Sequence, residues 1–405
     1  RSYQALLEMH LAKNEWLRTN FALAMAHFEN GWALVKQLDD QQLIDSVTVF
    51  GTFFMFWQGR FREAIENYER SMQEVVEKYP QARFPILGKM TVGYCYAQIG
   101  NYTQGLGMLD AIRAYCEERG DLYLASFAIG NIGEFMLDMR HLDEAIYYME
   151  QSAEMSSKSN NPWVFMLSQV FLAFTYYLKG NIGHALELLN VFFKHRNEAG
   201  ANVLPYPYLL ALAWEIRQGR FPKVEGLSLE GEIQNMVSST NIYMQGVGYR
   251  FQAFLMEQNN QEPTRIIETF ELSIRLLEES GHKVALSRSY KALAEYLAVH
   301  GNQERASDIK SRITGTLATV DKKYISDDLQ CLIDREQGSE NLLKEILELG
   351  KELVKIRDRR SDLIQKIISA GNRVTGAERG AIFMLENTEE GKKQLRLSAS
   401  INLTA

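Results

Sequence analysis

An all-α fold, an array of about eight helix pairs followed by a long helix and a β-hairpin, is what the amino-acid sequence predicts. Three observations carry that expectation. A helix-turn-helix corner recurs at near-constant spacing, only 7 Pro interrupt 405 residues, and apolar residues run at three- to four-residue intervals almost to Thr319. The corner is written most fully as Gly59-Arg60-Phe61-Arg62-Glu63-Ala64-Ile65. Glycine ends the first helix because it enters the left-handed region at no steric cost. The aromatic pins the second helix, and alanine lets two helices approach. Copies stand at Gly100-Asn101-Tyr102 with Gly105, Arg140-His141-Leu142 with Ala145, and Gly180-Asn181-Ile182 with Ala185. Weaker ones are Thr19-Asn20-Phe21 with Ala24, Gly219-Arg220-Phe221 with Val224, and Gly301-Asn302-Gln303 with Ala306. The spacings are 40, 41, 40, 40 and 39 residues, then 82 across a degenerate copy near Asn259-Asn260. A fixed period of this size marks a repeat array.

Each corner closes an apolar-periodic helix of roughly four turns and opens another. Before Gly100 stand Val92, Gly93 and Tyr96, and after it Leu106, Leu109 and Ile112. Gly133, Met136, Ala145, Tyr148 and Met149 repeat the pattern around Arg140, as do Ala173, Tyr176, Leu186 and Leu189 around Gly180. The small residue seven places before each of these corners marks where a neighbouring helix passes close. Pro222, Gly226 and Gly231 shorten the second helix after Gly219, and Pro263 implies a longer connection in the copy around Asn259.

The corner, the small residue seven before it and the aromatic four before it (Tyr96, Tyr176) resemble the tetratricopeptide repeat. The period of that repeat is about 34 residues; helices longer by a turn, or longer loops, bring this one near 40. HEAT and armadillo repeats share the longer period but not the corner. The resemblance implies a right-handed superhelical solenoid over 1–319, with a concave face lined by the first helix of each pair.

Beyond Thr319 the character changes. Residues 320–340 read as a polar connector. Over 341–375, Leu342, Ile346, Leu349, Leu353, Ile356, Leu363 and Ile367 follow the alternating spacing of a coiled-coil seam, with Arg360 at a core position. Such a helix either lies on its own domain or dimerises and transmits a signal; dimerisation through 341–375 is the expectation. Residues 376–405 hold two strands, Gly380-Ala381-Ile382-Phe383-Met384-Leu385 and Leu395-Arg396-Leu397-Ser398-Ala399-Ser400, joined as a hairpin. The run Val374-Thr375-Gly376-Ala377-Glu378-Arg379-Gly380 into the first strand resembles the opening of a GAF domain. Only its leading helix and first hairpin are present, so that family's ligand-pocket residues have no counterpart here.

The order of repeats, seam helix and GAF opening is similar to that of large bacterial signal-transduction proteins of the histidine-kinase or sigma-factor-activating ATPase type. The resemblance implies a non-catalytic interaction and sensory scaffold, probing a partner and passing its binding to an output module, as in a transcriptional regulator. The alternative is a substrate-recruiting region of an enzyme whose catalytic domain lies elsewhere.

Composition excludes other classes. With 44 Lys and Arg against 51 Asp and Glu, the net charge of −7 argues against a nucleic-acid surface. No 18-residue apolar run predicts a membrane span. Three widely spaced Cys (Cys95, Cys116, Cys331) read as buried thiols in a reducing, cytoplasmic compartment. Residue 1 is Arg and no basic-then-apolar leader follows, so a piece of a longer protein is expected. Phosphate-loop, His-Glu-x-x-His and Gly-x-Ser-x-Gly motifs are absent, and the seven His never pair at i, i+4. Gly105-Leu106-Gly107 and Gly246-Val247-Gly248 read as helix-packing glycines. No catalytic residue, cofactor or metal is therefore expected. Projecting the repeat register places Phe53, Phe56, Tyr94, Glu134, Phe174 and Tyr177 on successive inner positions. An aromatic row there anchors a protein or peptide partner, or another domain of the same protein, unless the rings pack on one another.

Overall fold

The structure, a computed structural model, describes residues 1–17, 20–38, 51–78, 86–198, 206–333, 368–369, 379–387 and 393–401. The chain divides into two compact units, Arg1–Gln330 and Cys331–Ala405.

The first unit is an array of paired helices. They are α1 (Ser2–Leu17) with α2 (Phe21–Leu38), helical residues 51–57 (α3) with α4 (Phe61–Lys78), and α5 (Ile86–Gln98) with α6 (Tyr102–Glu118). Next come α7 (Leu122–Asp138) with α8 (Leu142–Lys158), α9 (Pro162–Leu178) with α10 (Ile182–Glu198), and α11 (Pro207–Arg217) with α12 (Leu229–Val237). Two further pairs, α13 (Ile242–Gln258) with α14 (Pro263–Ser280) and α15 (Lys283–Val299) with α16 (Gln303–Leu317), complete the eight found among the described residues. First helices also pack on first helices, α5 on α7, α7 on α9, α9 on α11, α11 on α13 and α13 on α15, as stacking hairpins require. As expected, α12 is short, at 9 residues.

The recurring corner is a left-handed cap. Gly59, Gly100, Gly180, Gly219 and Gly301 have φ between +71° and +89°, while Arg140 (φ 65°) and Asn260 (φ 51°) take the same conformation without glycine. The degenerate copy is thus an intact corner at Asn260. Each cap is closed by an amide reaching five residues back: Asn101 N to Tyr96 O at 2.8 Å, His141 N to Met136 O at 2.9 Å, Asn181 N to Tyr176 O at 2.9 Å. The Asn that follows Gly starts the next helix, its side chain accepting from Gln104 N at Asn101 and from Arg305 N at Asn302. Ala64, Ala145, Ala185 and Ala306 are fully buried at the elbow. Gly105 lies so close to α5 that a Cβ would meet the Ala97 amide nitrogen at 2.6 Å, and Gly246 and Gly248 meet Leu277 and Met236 as closely. Gly107 faces open space and packs on nothing. The corner at Thr19 lies outside the described residues.

The array coils back on itself. The corner of the second pair meets the start of the seventh: Asn241 Nδ2 donates to Trp57 O at 2.9 Å and Ile242 N to Gln58 O at 2.9 Å. The corner of the third meets the start of the eighth, with Gly100 against Lys283 and Val320. On the fourth, Arg288 of α15 reaches Asp138 at the end of α7. Gly59 therefore does two jobs. Its φ is +74°, and a Cβ would stand 2.4 Å from Asn241 Oδ1 and 2.8 Å from Tyr243 N. Gly180 has φ +80° but open space around it. Gly180→Ala should destabilise by about 1–2 kcal/mol, the left-handed cost alone. Gly59→Ala should lose roughly 1–3 kcal/mol more through overpacking. Equal losses in urea unfolding would show that the turns do not bear on each other at this point.

Past Thr319 follow a 3₁₀ turn at Lys322–Tyr324 and helical residues 327–333 (α17). Val320, Ile325, Leu329 and Ile333 are buried, and the Tyr324 ring lies 5.2 Å from that of Tyr102. Of 341–375, only 368–369 are described, as helix; the seam residues Leu342 to Ile367, Arg360 among them, lie outside the described residues. In the second unit, β1 (Gly380–Asn387) pairs antiparallel with β2 (Lys393–Ile401), with a bulge between Ile382 and Phe383. Phe383 and Leu385 face Leu397 and Leu395 across the ladder, and all four are exposed. The alternation predicts a half-buried face; among the described residues nothing covers it. Cys95 and Cys116 are buried free thiols, whereas Cys331 is exposed. Among the described residues no helix is long and apolar enough to cross a membrane.

Candidate ligand-binding cavity

Coiling back forms a partly open cavity of about 460 Å³ in the first unit, within the ~300–1,000 Å³ range of small-ligand sites. Its walls come from the first helix of each pair in turn. Trp16 belongs to α1, Phe53, Phe56 and Trp57 to α3, and Met90 and Tyr94 to α5. On α7, Tyr123, Phe127, Asn131 and Glu134 recur every three or four residues, so one face of that helix looks inward. Trp163 and Phe171 follow on α9, Tyr206 caps α11, and Tyr243 lies on α13. Phe61, at the corner into α4, bridges the turns, its ring 6.3 Å from Tyr94 and 5.9 Å from Tyr243. Trp57 and Trp163 approach to 5.9 Å from the second and fifth pairs.

Of the six positions the repeat register singles out, Phe53, Phe56, Tyr94 and Glu134 line this cavity; Phe174 and Tyr177 do not. Phe174 is covered by Tyr208 at 5.1 Å and by the Arg140 guanidinium at 5.6 Å. Tyr177 lies edge-on to Phe221 at 5.5 Å and donates to Glu215. The reason is a tilt. The lining residues sit in the C-terminal parts of α1 and α3, mid-helix in α5, and at the N-terminal ends of α11 and α13. Each pair advances along the coil axis, so a fixed point in space meets later helices nearer their starts. Tyr123, Trp163 and Tyr243 share a register of their own, each the second residue of its helix and 17 before its corner, whereas the projected positions lie three and six before it.

One buried acid faces all this apolar surface. Glu134 is 8% exposed and accepts from the Tyr94 hydroxyl, at 3.0 Å to Oε1 and 3.1 Å to Oε2. A carboxylate offers about four acceptor sites; among the described residues only this one donor reaches it. Burial first, and the neighbouring Asp138 second, push the Glu134 carboxyl up to about 8, against the pull of the Tyr94 hydrogen bond. One turn on, Asp138 is differently placed. It accepts from Tyr208 Oη at 2.8 Å and from Arg288 Nη1 at 3.2 Å, while Arg288 Nη2 donates to the Asp138 carbonyl at 3.3 Å. Burial drives the Tyr94, Tyr208 and Tyr243 hydroxyls well above the usual phenol value, so they stay protonated donors. His282, stacked on Tyr243 at 4.5 Å, is pushed down to about 4 by burial and is neutral. Among the described residues no group of three His, Cys, Asp or Glu side chains is placed to hold a metal.

No protein-family model and no curated protein matches the sequence. Solved structures do align with it. A Rap protein complexed with Competence and Sporulation Factor covers 93% of this chain and 94% of its own, at 10% identity and a TM-score of 0.38. The apo quorum sensor NprR from B. thuringiensis covers 76% and 97%, at 14% identity and a TM-score of 0.34. The human IFIT1 dimer with m7Gppp-AAAA covers 92% and 87%, at 14% identity and a TM-score of 0.38.

Proposed function

We propose that the first unit is a non-catalytic binding module of a signalling protein, and that its cavity takes the apolar anchor of a peptide or protein partner. The observation that carries this reading is the aromatic cavity itself, walled by first helices from pair one to pair seven. An occupant touches both ends of one turn of the coil, so it favours the closed arrangement over any looser one. In this reading occupancy is relayed to the seam helix at 341–375 and the GAF-like hairpin, and so to an output such as transcription. The relay rests on sequence resemblance alone.

Trp16, Trp57 and Trp163 stand in the wall, three of the 5 Trp in the chain, so their emission reports an occupant. Titration with blocked di- and tetrapeptides pairing Phe, Leu or Trp with neutral or basic residues is expected to shift that emission, with dissociation constants in the micromolar range. Leu167→Trp, which adds bulk to the α9 wall, should weaken calorimetric binding at least tenfold. A folded chain that binds no member of the panel below millimolar concentration would end this reading.

A further inference from the structure

We propose that the ligand of this cavity carries one cationic head on an apolar body, the head docking against the Glu134 carboxyl and the ring faces of Tyr94 and Tyr243. The inference rests on the binding reading above and names the chemistry of the ligand. Glu134 is the acid in the lining, it is nine-tenths buried, and among the described residues a single hydroxyl reaches it. The buried arginines of α13 and α15 are already committed. Arg288 is bound twice to Asp138, and the buried Arg250 donates to Ala285 O at 3.1 Å and to Ser289 Oγ at 3.4 Å. Asn131 lines the cavity one turn from Glu134 on the same face of α7, and its side chain makes no hydrogen bond among the described residues. The Tyr243 hydroxyl is likewise without a partner there.

Aromatic faces are electron-rich and attract a cation, most strongly where water is excluded. An anionic head would meet Glu134 and those faces, none of which favours it, with Asp138 one turn behind. A wholly apolar ligand would leave a buried carboxyl with most of its acceptor sites empty. A cation meets every one of these features. Its arrival ionises Glu134, which releases one proton to solvent, while the ligand keeps its own charge. The groups that face Glu134 are Tyr94 on α5, Asp138 on its own helix with Arg288 and Tyr208 attached, and Tyr243 on α13 backed by neutral His282. Lys13 of α1 lines the cavity from an exposed position. None of the tyrosines nor His282 changes charge between pH 6 and 8.

The test uses the full chain, tryptophan emission and two matched pairs of probes: 2-phenylethylamine with 2-phenylethanol, and N-acetyl-Phe-Lys-amide with N-acetyl-Phe-norleucine-amide. At pH 8 each amine should bind at least tenfold more tightly than its neutral partner. A primary amine stays charged over this range, as lysine does with an ordinary value of about 10.4. The gap should therefore narrow towards pH 6 as Glu134 takes up its proton, and Glu134→Gln should bring the amine to the alcohol's affinity. A tighter lysine peptide assigns the head to a peptide side chain, a tighter phenylethylamine to a free amine, and either supports the proposal. Equal binding of amine and alcohol to the wild type, or a gap that survives in Glu134→Gln, overturns it while leaving the binding reading in place. Failure of all four probes overturns both.

Discussion

Arg288→Met is expected to destabilise the first unit by about 3–5 kcal/mol, the usual consequence of stranding a buried charge. The Asp138 side chain is only 6% exposed, and its partner lies 150 residues away in sequence. Methionine keeps the length and most of the apolar stem of arginine, so the loss isolates the guanidinium. With it gone, Asp138 keeps the Tyr208 hydrogen bond and loses its counter-ion. Urea unfolding at pH 7, followed by circular dichroism, measures the effect. The double variant Arg288→Met with Asp138→Asn should recover most of it, because the stranded charge is then absent. A loss under about 1 kcal/mol in the single variant would show that solvent reaches Asp138 and that the contact between α7 and α15 does not hold the coil closed.

Glu134→Gln is expected to act in the opposite direction and only at higher pH. The folded-state value of about 8 lies above the ordinary carboxyl value of 4.5. Between these two values the folded protein holds a proton that the unfolded chain has given up, so this group makes the fold progressively less stable as pH rises from about 4.5 to 8. Glutamine has the shape of the protonated acid and no charge to bury. The variant should match the wild type near pH 5 and exceed it by on the order of 3 kcal/mol at pH 8. His282, held down at about 4, stays neutral across that window and does not confuse the comparison. Guanidinium unfolding of both proteins at pH 5 and pH 8 decides the matter: a difference between them that is the same at both pH values would mean that Glu134 is solvated. The two variants separate neighbouring acids on one helix. Asp138 holds the turns together, and Glu134 is kept as a protonated acid facing the cavity.

The repeat itself was legible because its physics is local. Gly59, Gly100 and Gly180 end helices wherever they stand, an Asn in the next position caps the helix that follows, and a small residue at the elbow admits the neighbour. Even the degenerate corner at Asn259-Asn260 was visible as a gap of two periods, and Asn260 fills it with the same left-handed turn. The hairpin followed from alternation and pairs as its pattern implies. In the site, Phe53, Phe56, Tyr94 and Glu134 could be placed on the inner face by counting back from the corners.

What periodicity could not supply is the pitch of the coil. A small advance per pair, summed over several pairs, brings the corner at Gly59 against Asn241 and shifts the cavity from one end of the early first helices to the other end of the late ones. That shift puts Phe174 and Tyr177 under Tyr208 and Phe221, and brings Tyr123, Trp163 and Tyr243 into the wall. The same closure joins Arg288 to Asp138 and leaves Glu134 without a counter-ion. Local rules written in the sequence determine each hairpin; the stacking angle, set by how all their side chains pack together, decides which residues meet across a turn.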